Sequence, residues 1–290
     1  MTSQGPREVA ERVYVVPPNQ FGSSNCGFVA GADETLVVDT RMAPMLGRQL
    51  FDGIRAVTGS PVTTVVNTHF HGDHVFGNEV FGPDVAVVSH RLAREEILER
   101  GDAMVEEFLD HYNIAARYPA DVVADIRSVQ VRTATVVFDE GYTHKVGDLT
   151  VELDYVGPAH SKGDIVAYLP DAGVLFAGDL VFQDIHPYWL DGYLPGTIAS
   201  LRRLVDWPIE VVVPGHGPVT DRTALAEMLR YFETIEAVLH QAVAAGSGGA
   251  DALHSLEATL GDYGAQPQRL ASTVHRFWTQ MTASGLEERA

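Results

Sequence analysis

The sequence holds a single cysteine, Cys26, so no disulfide forms within the chain. Lysine is nearly absent: Lys145 and Lys162 stand beside eighteen arginines. Positive charge as a whole is short, with 20 Lys and Arg against 39 Asp and Glu, a net charge of −19 and a pI near 4.9. So acidic a surface repels phosphate backbones and anionic lipid, which argues against nucleic acid and membranes as partners. Its plainest use is solubility. No run of about 18 apolar residues is present, so no membrane-spanning helix is expected. Residues 1–11 are polar and lack the apolar stretch of a secretory leader. The expectation is a cytoplasmic protein acting on a small molecule, with a homodimer left open.

What is present is enough for a large core: 290 residues, 46% of them hydrophobic. Short β-rich runs occur at 13–16, 26–30 and 35–39, the last ending on Asp39. Pro44 opens a helical pattern with Leu46, Leu50, Ile54 and Val57 on one stripe. A buried strand is expected at 62–67 and another at 85–88. Residues 91–127 turn helical, charged and aromatic, and read as an insertion over the sheet edge. A second β-rich segment follows, with strands expected at 135–138, 149–156, 165–169 and 174–177. After it come an aromatic loop at 182–195, a helix at 196–205 and a strand at 210–213. A long amphipathic helix starts near Asp221, a candidate N-cap. Residues 246–249 read as a flexible break, and a last helix begins near Pro267. Two β-rich halves with helices outside predict a four-layer helix–sheet–sheet–helix sandwich. The catalytic domain is expected over 1–245, with 246–290 as its helical extension.

The chemistry concentrates in His69-x-His71-x-Asp73-His74, four metal-capable side chains in six residues at the end of an apolar strand. Alternate residues of an extended segment point the same way, so His69 and His71 can share one ion. Asp73 and His74, just past the turn, can face a second. Three more candidates each follow a β-rich run: His160, Asp179 and His216. Neighbouring glycines and prolines let the backbone turn so that each ligand reaches a cleft.

In this order the motifs resemble the metallo-β-lactamase superfamily from about Val13 to Val219. The resemblance implies an αββα sandwich with the metals at one edge. It also implies roles. His69, His71 and His160 would hold the first metal, and Asp73, His74 and His216 the second. Asp179 would bridge them, and Asp39 would orient a ligand histidine. An aspartate at 179, where many zinc β-lactamases of the family carry cysteine, looks like the glyoxalase-II, lactonase and phosphodiesterase branches.

Two divalent ions sharing a water lower its pKa from about 15.7 towards ~7, so that a bridging hydroxide attacks. One metal stabilises the oxyanion, and Asp73 or Asp179 carries the proton to the leaving group. Nitrogen and oxygen donors suit two zinc ions per chain, with iron or manganese as alternatives. The expected substrate is a thioester or lactone. The GC-rich composition and the aromatic loop add a narrower suspicion, a cyclase or thioesterase of aromatic polyketides. His186 or Tyr193 of that loop is a candidate aid to the oxyanion, and Phe21 of the 20–25 loop a candidate substrate contact. The competing readings are a mononuclear-iron persulfide dioxygenase, a β-lactamase-like amide hydrolase and a nuclease. The acidic charge argues against the last.

Overall fold

The computed structural model describes residues 5–18, 24–101 and 103–287, with side chains to residue 283. Phe21 lies outside the described residues. Seven strands form the first sheet in sequential order: β1 (Arg7–Ala10), β2 (Val13–Val16), β3 (Cys26–Ala30), β4 (Thr35–Val38), β5 (Val62–Val66), β6 (Ala86–His90) and β7 (Val136–Phe138). Pairing is antiparallel from β1 to β4 and parallel from β4 to β7. A second sheet contains β8 (Gly141–Val146), β9 (Leu149–Tyr155), β10 (Ile165–Leu169), β11 (Val174–Phe182) and β12 (Val211–His216), in the order β12-β11-β10-β9-β8.

The two sheets face each other. Val15, Leu36 and Val66 of the first pack with Leu153, Ala167 and Phe176 of the second. Helix α1 (Pro44–Val57) covers the far side of the first sheet, laying Leu50 and Ile54 on Phe28, Val37 and Val65. Each such buried Leu or Ile contributes roughly 1.5–3 kcal/mol of transfer free energy. A one-turn helix, α2 (Gly72–Val75), follows β5. The insertion after β6 is helical: α3 (Arg91–Arg100), α4 (Ala103–His111), α5 (Ile114–Arg117) and α6 (Ala120–Arg127). It packs its own apolar cluster onto Met42, Leu46, Phe70 and Val75. On the far side of the second sheet lie α7 (Leu194–Leu204) and α8 (Thr223–Ala245), which place Ile198, Leu201, Met228 and Phe232 on Val166, Leu175 and Val212. The tail helices α9 (Gly249–Leu260) and α10 (Gln268–Glu287) join that cluster through Leu256, Leu270, Val274 and Phe277. The fold is therefore a four-layer α/β sandwich.

Several boundaries differ from the sequence expectation. Strand β11 does not stop at 177 but runs through Asp179 to Phe182, and β12 reaches His216. The pairing of β11 with β12 shifts register around Gly178, whose φ of +52° is the left-handed conformation that glycine adopts freely. That kink lets the strand continue past the site. The 246–249 break is three residues long: Gly246 caps α8 in a left-handed conformation, and α9 begins at Gly249. Among the described residues no helix is long and apolar enough to cross a membrane.

Candidate metal centre

All seven predicted ligands arrive at one edge of the sandwich. Beyond β5 the chain extends through His69 and His71, and α2 then presents Asp73 and His74. His160 sits in the loop between β9 and β10. That loop is folded on Asp164, whose carboxylate accepts the N–H of Ala159 (3.2 Å) and of Ser161 (2.7 Å) and the Ser161 hydroxyl (2.8 Å). Asp179 comes from the middle of β11 and His216 from the end of β12.

His69, His71, His160 and Asp179 offer donor atoms that all lie within 4.8 Å of one another, and so do Asp73, His74 and His216. In the first group His71 Nδ1 is 3.1 Å from His69 Nε2 and 2.9 Å from His160 Nε2. Asp191 accepts from His71 Nε2 at 3.1 Å. The ring proton therefore sits on Nε2, and Nδ1 keeps its lone pair. In the second group His74 Nδ1 donates to Asp39 at 2.8 Å, which leaves His74 Nε2 free to ligate. His216 Nε2 lies 3.2 Å from Asp73 Oδ2. Asp179 stands between the groups, with Oδ1 3.1 Å from His74 Nε2 and Oδ2 3.3 Å from His160 Nε2.

These atoms fit ions better than they fit each other. His74 Nε2 and Asp179 Oδ1 are buried and close, yet neither has a hydrogen-bond partner among the described residues. Buried polar atoms are normally paired, and two atoms aimed at a common point without bonding behave as co-ligands of a cation. Burial pushes the pKa of His69 well below the ordinary value and that of His160 down to about 3, keeping both in the neutral form that binds metal. Burial alone would raise Asp179 and Asp73, but the neighbouring imidazoles outweigh it. His216, His74 and His160 hold Asp179 well below the usual carboxylate range, and His74 and His216 hold Asp73 at about 2. Two buried clusters of this composition fit a dinuclear metal site.

Asp39 occupies the position from which it orients this site. Its backbone is left-handed (φ 59°), and its carboxylate accepts the Thr68 N–H (2.9 Å) and hydroxyl (2.8 Å) besides His74. Beside the clusters opens a cavity of about 170 Å³, floored by Asp73, Asp179 and His216 and walled by Phe108, Tyr112 and Tyr188. Both the insertion and the 182–195 loop thus line it.

Two candidates lie off this cavity. His186 is buried among Tyr231 and Tyr263, with Nδ1 2.9 Å from the Tyr231 hydroxyl, and does not line the cavity. The chain turns it under the tail helices, where its backbone N–H donates to Ala265. Tyr193 precedes α7 with its ring beside the Arg276 guanidinium, and it too is off the cavity. Sequence reasoning missed Asp191, which also receives Arg100 at 3.1 Å. It also passed over Asn25, whose amide donates to Pro214 and Gly217 (both 2.8 Å) and holds the His216 segment. An acid inside the aromatic loop was the only available signal for Asp191. Lys162 is exposed beside Glu99.

A two-sheet sandwich with five histidines and two aspartates gathered at one edge defines a class, the metal-dependent hydrolases. The chain belongs to the metallo-beta-lactamase superfamily, whose sequence model matches residues 19–216. It is 30% identical over 223 residues to the acyl-coenzyme A thioesterase MBLAC2 of Bos taurus, covering 72% of this chain and 76% of that protein. It is 26% identical to the metallo-beta-lactamase type 2 of Bacillus cereus, covering 70% and 71%. The fold is similar to that of the metallo-beta-lactamase from Pontibacter korlensis, with a TM-score of 0.63, 23% identity, and coverage of 79% of this chain and 98% of that one.

Proposed function

We propose that the protein is a dizinc hydrolase of ester-type carbonyl bonds, with thioesters as first substrates and lactones as second. The observation that carries this reading is Asp179, buried between the two clusters with one oxygen beside His74 and the other beside His160. His69 Nε2, His71 Nδ1 and His160 Nε2 would hold one ion. Asp73, His74 Nε2 and His216 Nε2 would hold the other, with Asp179 reaching both. When bound, the two ions would activate a water and polarise the scissile carbonyl.

The chain's own groups do the rest. Asp39 and Asp191 hold the ring protons of His74 and His71 on Nδ1 and Nε2, leaving His74 Nε2 and His71 Nδ1 as the atoms that would ligate. Asp73, on the cavity floor, takes the proton of the attacking water and returns it to the leaving thiol or alcohol. The preference for a thioester rests on the similarity to a thioesterase at 30% identity. The walls of Tyr112 and Tyr188 suit an aromatic acyl group, in keeping with a thioesterase or cyclase of aromatic polyketides.

The test is metal content of the purified protein by plasma mass spectrometry, followed by turnover of a thioester and lactone panel. About two zinc per chain with thioester cleavage is expected. Asp179→Ala is expected to lower turnover on the order of 100-fold while the fold persists. An unchanged rate in that variant rejects the bridging role, and one iron per chain with oxygen uptake replaces the hydrolase by a dioxygenase.

A further inference from the structure

Two arginines line the same cavity as Asp73 and Asp179: Arg117, which ends α5 in the insertion, and Arg269, in the first turn of α10. They are 152 residues apart in sequence, and Arg269 lies beyond the segment matched by the family. Among the described residues Arg12, Arg48, Arg91, Arg100, Arg127 and Arg202 lie within 4.0 Å of a carboxylate. Arg117 and Arg269 have no such partner among the described residues. Each makes one side-chain hydrogen bond there, Arg117 to the Tyr112 carbonyl (3.3 Å) and Arg269 to the His186 carbonyl (3.4 Å). A guanidinium carries five N–H donors in a planar fork, so most of theirs are left for a ligand.

Aromatic rings hold both groups in place. Arg117 lies 5.6 Å from the Tyr118 ring centroid and Arg269 lies 5.5 Å from that of Tyr188. Tyr118 and Tyr188 themselves line the cavity. Arg269 is half-buried, and burial lowers its pKa from the ordinary guanidinium value. Arg117 is exposed, and at Arg269 burial outweighs the raising pull of Tyr112, Asp179 and Asp73 while Arg117 adds to the lowering.

We propose that Arg117 and Arg269 form the recognition site for a carboxylate on the substrate, a few bonds from the scissile carbonyl, with Tyr118 and Tyr188 packing the apolar or aryl segment between. This rests on the hydrolase reading for the identity of the reacting bond. Both arginines line the cavity whose floor is the metal centre, which favours a carboxylate near the carbonyl.

The binding arm uses benzoate and its neutral counterpart benzamide, titrated calorimetrically into the protein as purified. The ratio of the two affinities is expected to fall at least about tenfold in Arg117→Gln/Arg269→Gln, with Arg269→Lys between that variant and wild type. The kinetic arm compares N-acetylcysteamine thioesters of 3-carboxyphenylacetate and of its methyl ester. The wild type is expected to prefer the acid in kcat/KM, and the double variant to lose that preference mainly through KM. A third thioester, of phenylacetate with 3-mercaptopropionate, moves the carboxylate to the leaving group, and whichever acid is preferred identifies its side. An unchanged benzoate-to-benzamide ratio in the double variant overturns the proposal. If no thioester is cleaved but the benzoate ratio falls, the arginine site stands and the thioesterase reading fails.

Discussion

Replacing Asp39 by asparagine tests whether this residue sets the tautomer of His74. The carboxylate accepts three hydrogen bonds, from the Thr68 N–H at 2.9 Å, the Thr68 hydroxyl at 2.8 Å and His74 Nδ1 at 2.8 Å. Asparagine matches its volume and tolerates the left-handed φ of 59°, so the fold is expected to persist. Only one of its two terminal atoms accepts. With the oxygen towards the Thr68 N–H, the amide donates to His74 Nδ1, and the ring proton moves to Nε2, the atom beside Asp179. With the amide reversed, two N–H donors face each other at Thr68 in a buried site. The first arrangement puts a proton on the nitrogen that would ligate, and the second loses one buried hydrogen bond, about 1–3 kcal/mol. That corresponds to roughly a 10–100-fold loss of metal affinity, the usual cost of removing an outer-shell partner. The assay is metal retention against a graded chelator, with circular dichroism as the control for folding. The site of Asp73, His74 and His216 is expected to empty first. Wild-type affinity for both ions and a wild-type rate in Asp39→Asn would refute the assignment of His74 Nε2 as a ligand.

Two further perturbations follow from single contacts. A Cβ on Gly215 would stand 1.9 Å from Asp179 Oδ1 and 2.9 Å from the Gly178 carbonyl, so Gly215→Ala is expected to displace the carboxylate and release metal without unfolding the sandwich. Undiminished metal content in that variant would show that Asp179 has room to move. Burial raises Glu96 from its ordinary 4.5 to about 7, and its Oε2 has no hydrogen-bond partner among the described residues. The folded state therefore binds a proton that the unfolded chain has released, and stability falls as pH rises from 4.5 through about 7. At about 1.4 kcal/mol per pH unit the loss is at most about 3 kcal/mol. Glu96→Gln is expected to flatten the melting temperature over that window, and parallel pH profiles for variant and wild type would reject the buried-charge account.

The catalytic edge was legible because each ligand is announced by its own few residues. His69 to His74 form a block that no packing role requires. Asp179 and His216 are flanked by glycines that the structure uses for close approach, at Gly178 and Gly215. Elements whose signal was weak or misleading went unread. Strand β8 alternates exposed and half-buried residues, Tyr142, His144 and Lys145 among them, because it is the outer strand of its sheet. Helix α9 begins on glycine and buries only Ala252 and Leu256, too thin a stripe to override a glycine-rich start. His186 was misplaced because nearness to Asp179 in sequence says nothing of which way a loop residue turns, and here the Tyr231 hydroxyl claims it.

The same distinction separates chemistry from selectivity in this molecule. The seven candidate ligands gather at one sandwich edge, from the segment after β5, helix α2, the β9–β10 loop, the middle of β11 and the end of β12, and each position is set by local backbone that a sequence pattern reports. The cavity wall is assembled from Tyr112 and Arg117 of the insertion, Tyr188 of the aromatic loop and Arg269 of the tail. None of these segments carries a motif that points to the others, because what joins them is tertiary packing: the insertion on Met42 and Phe70, and the tail on the outer face of the second sheet. A substitution in either packing cluster would therefore move one arginine relative to the other without touching a ligand, so substrate preference can change while the metal edge stays fixed.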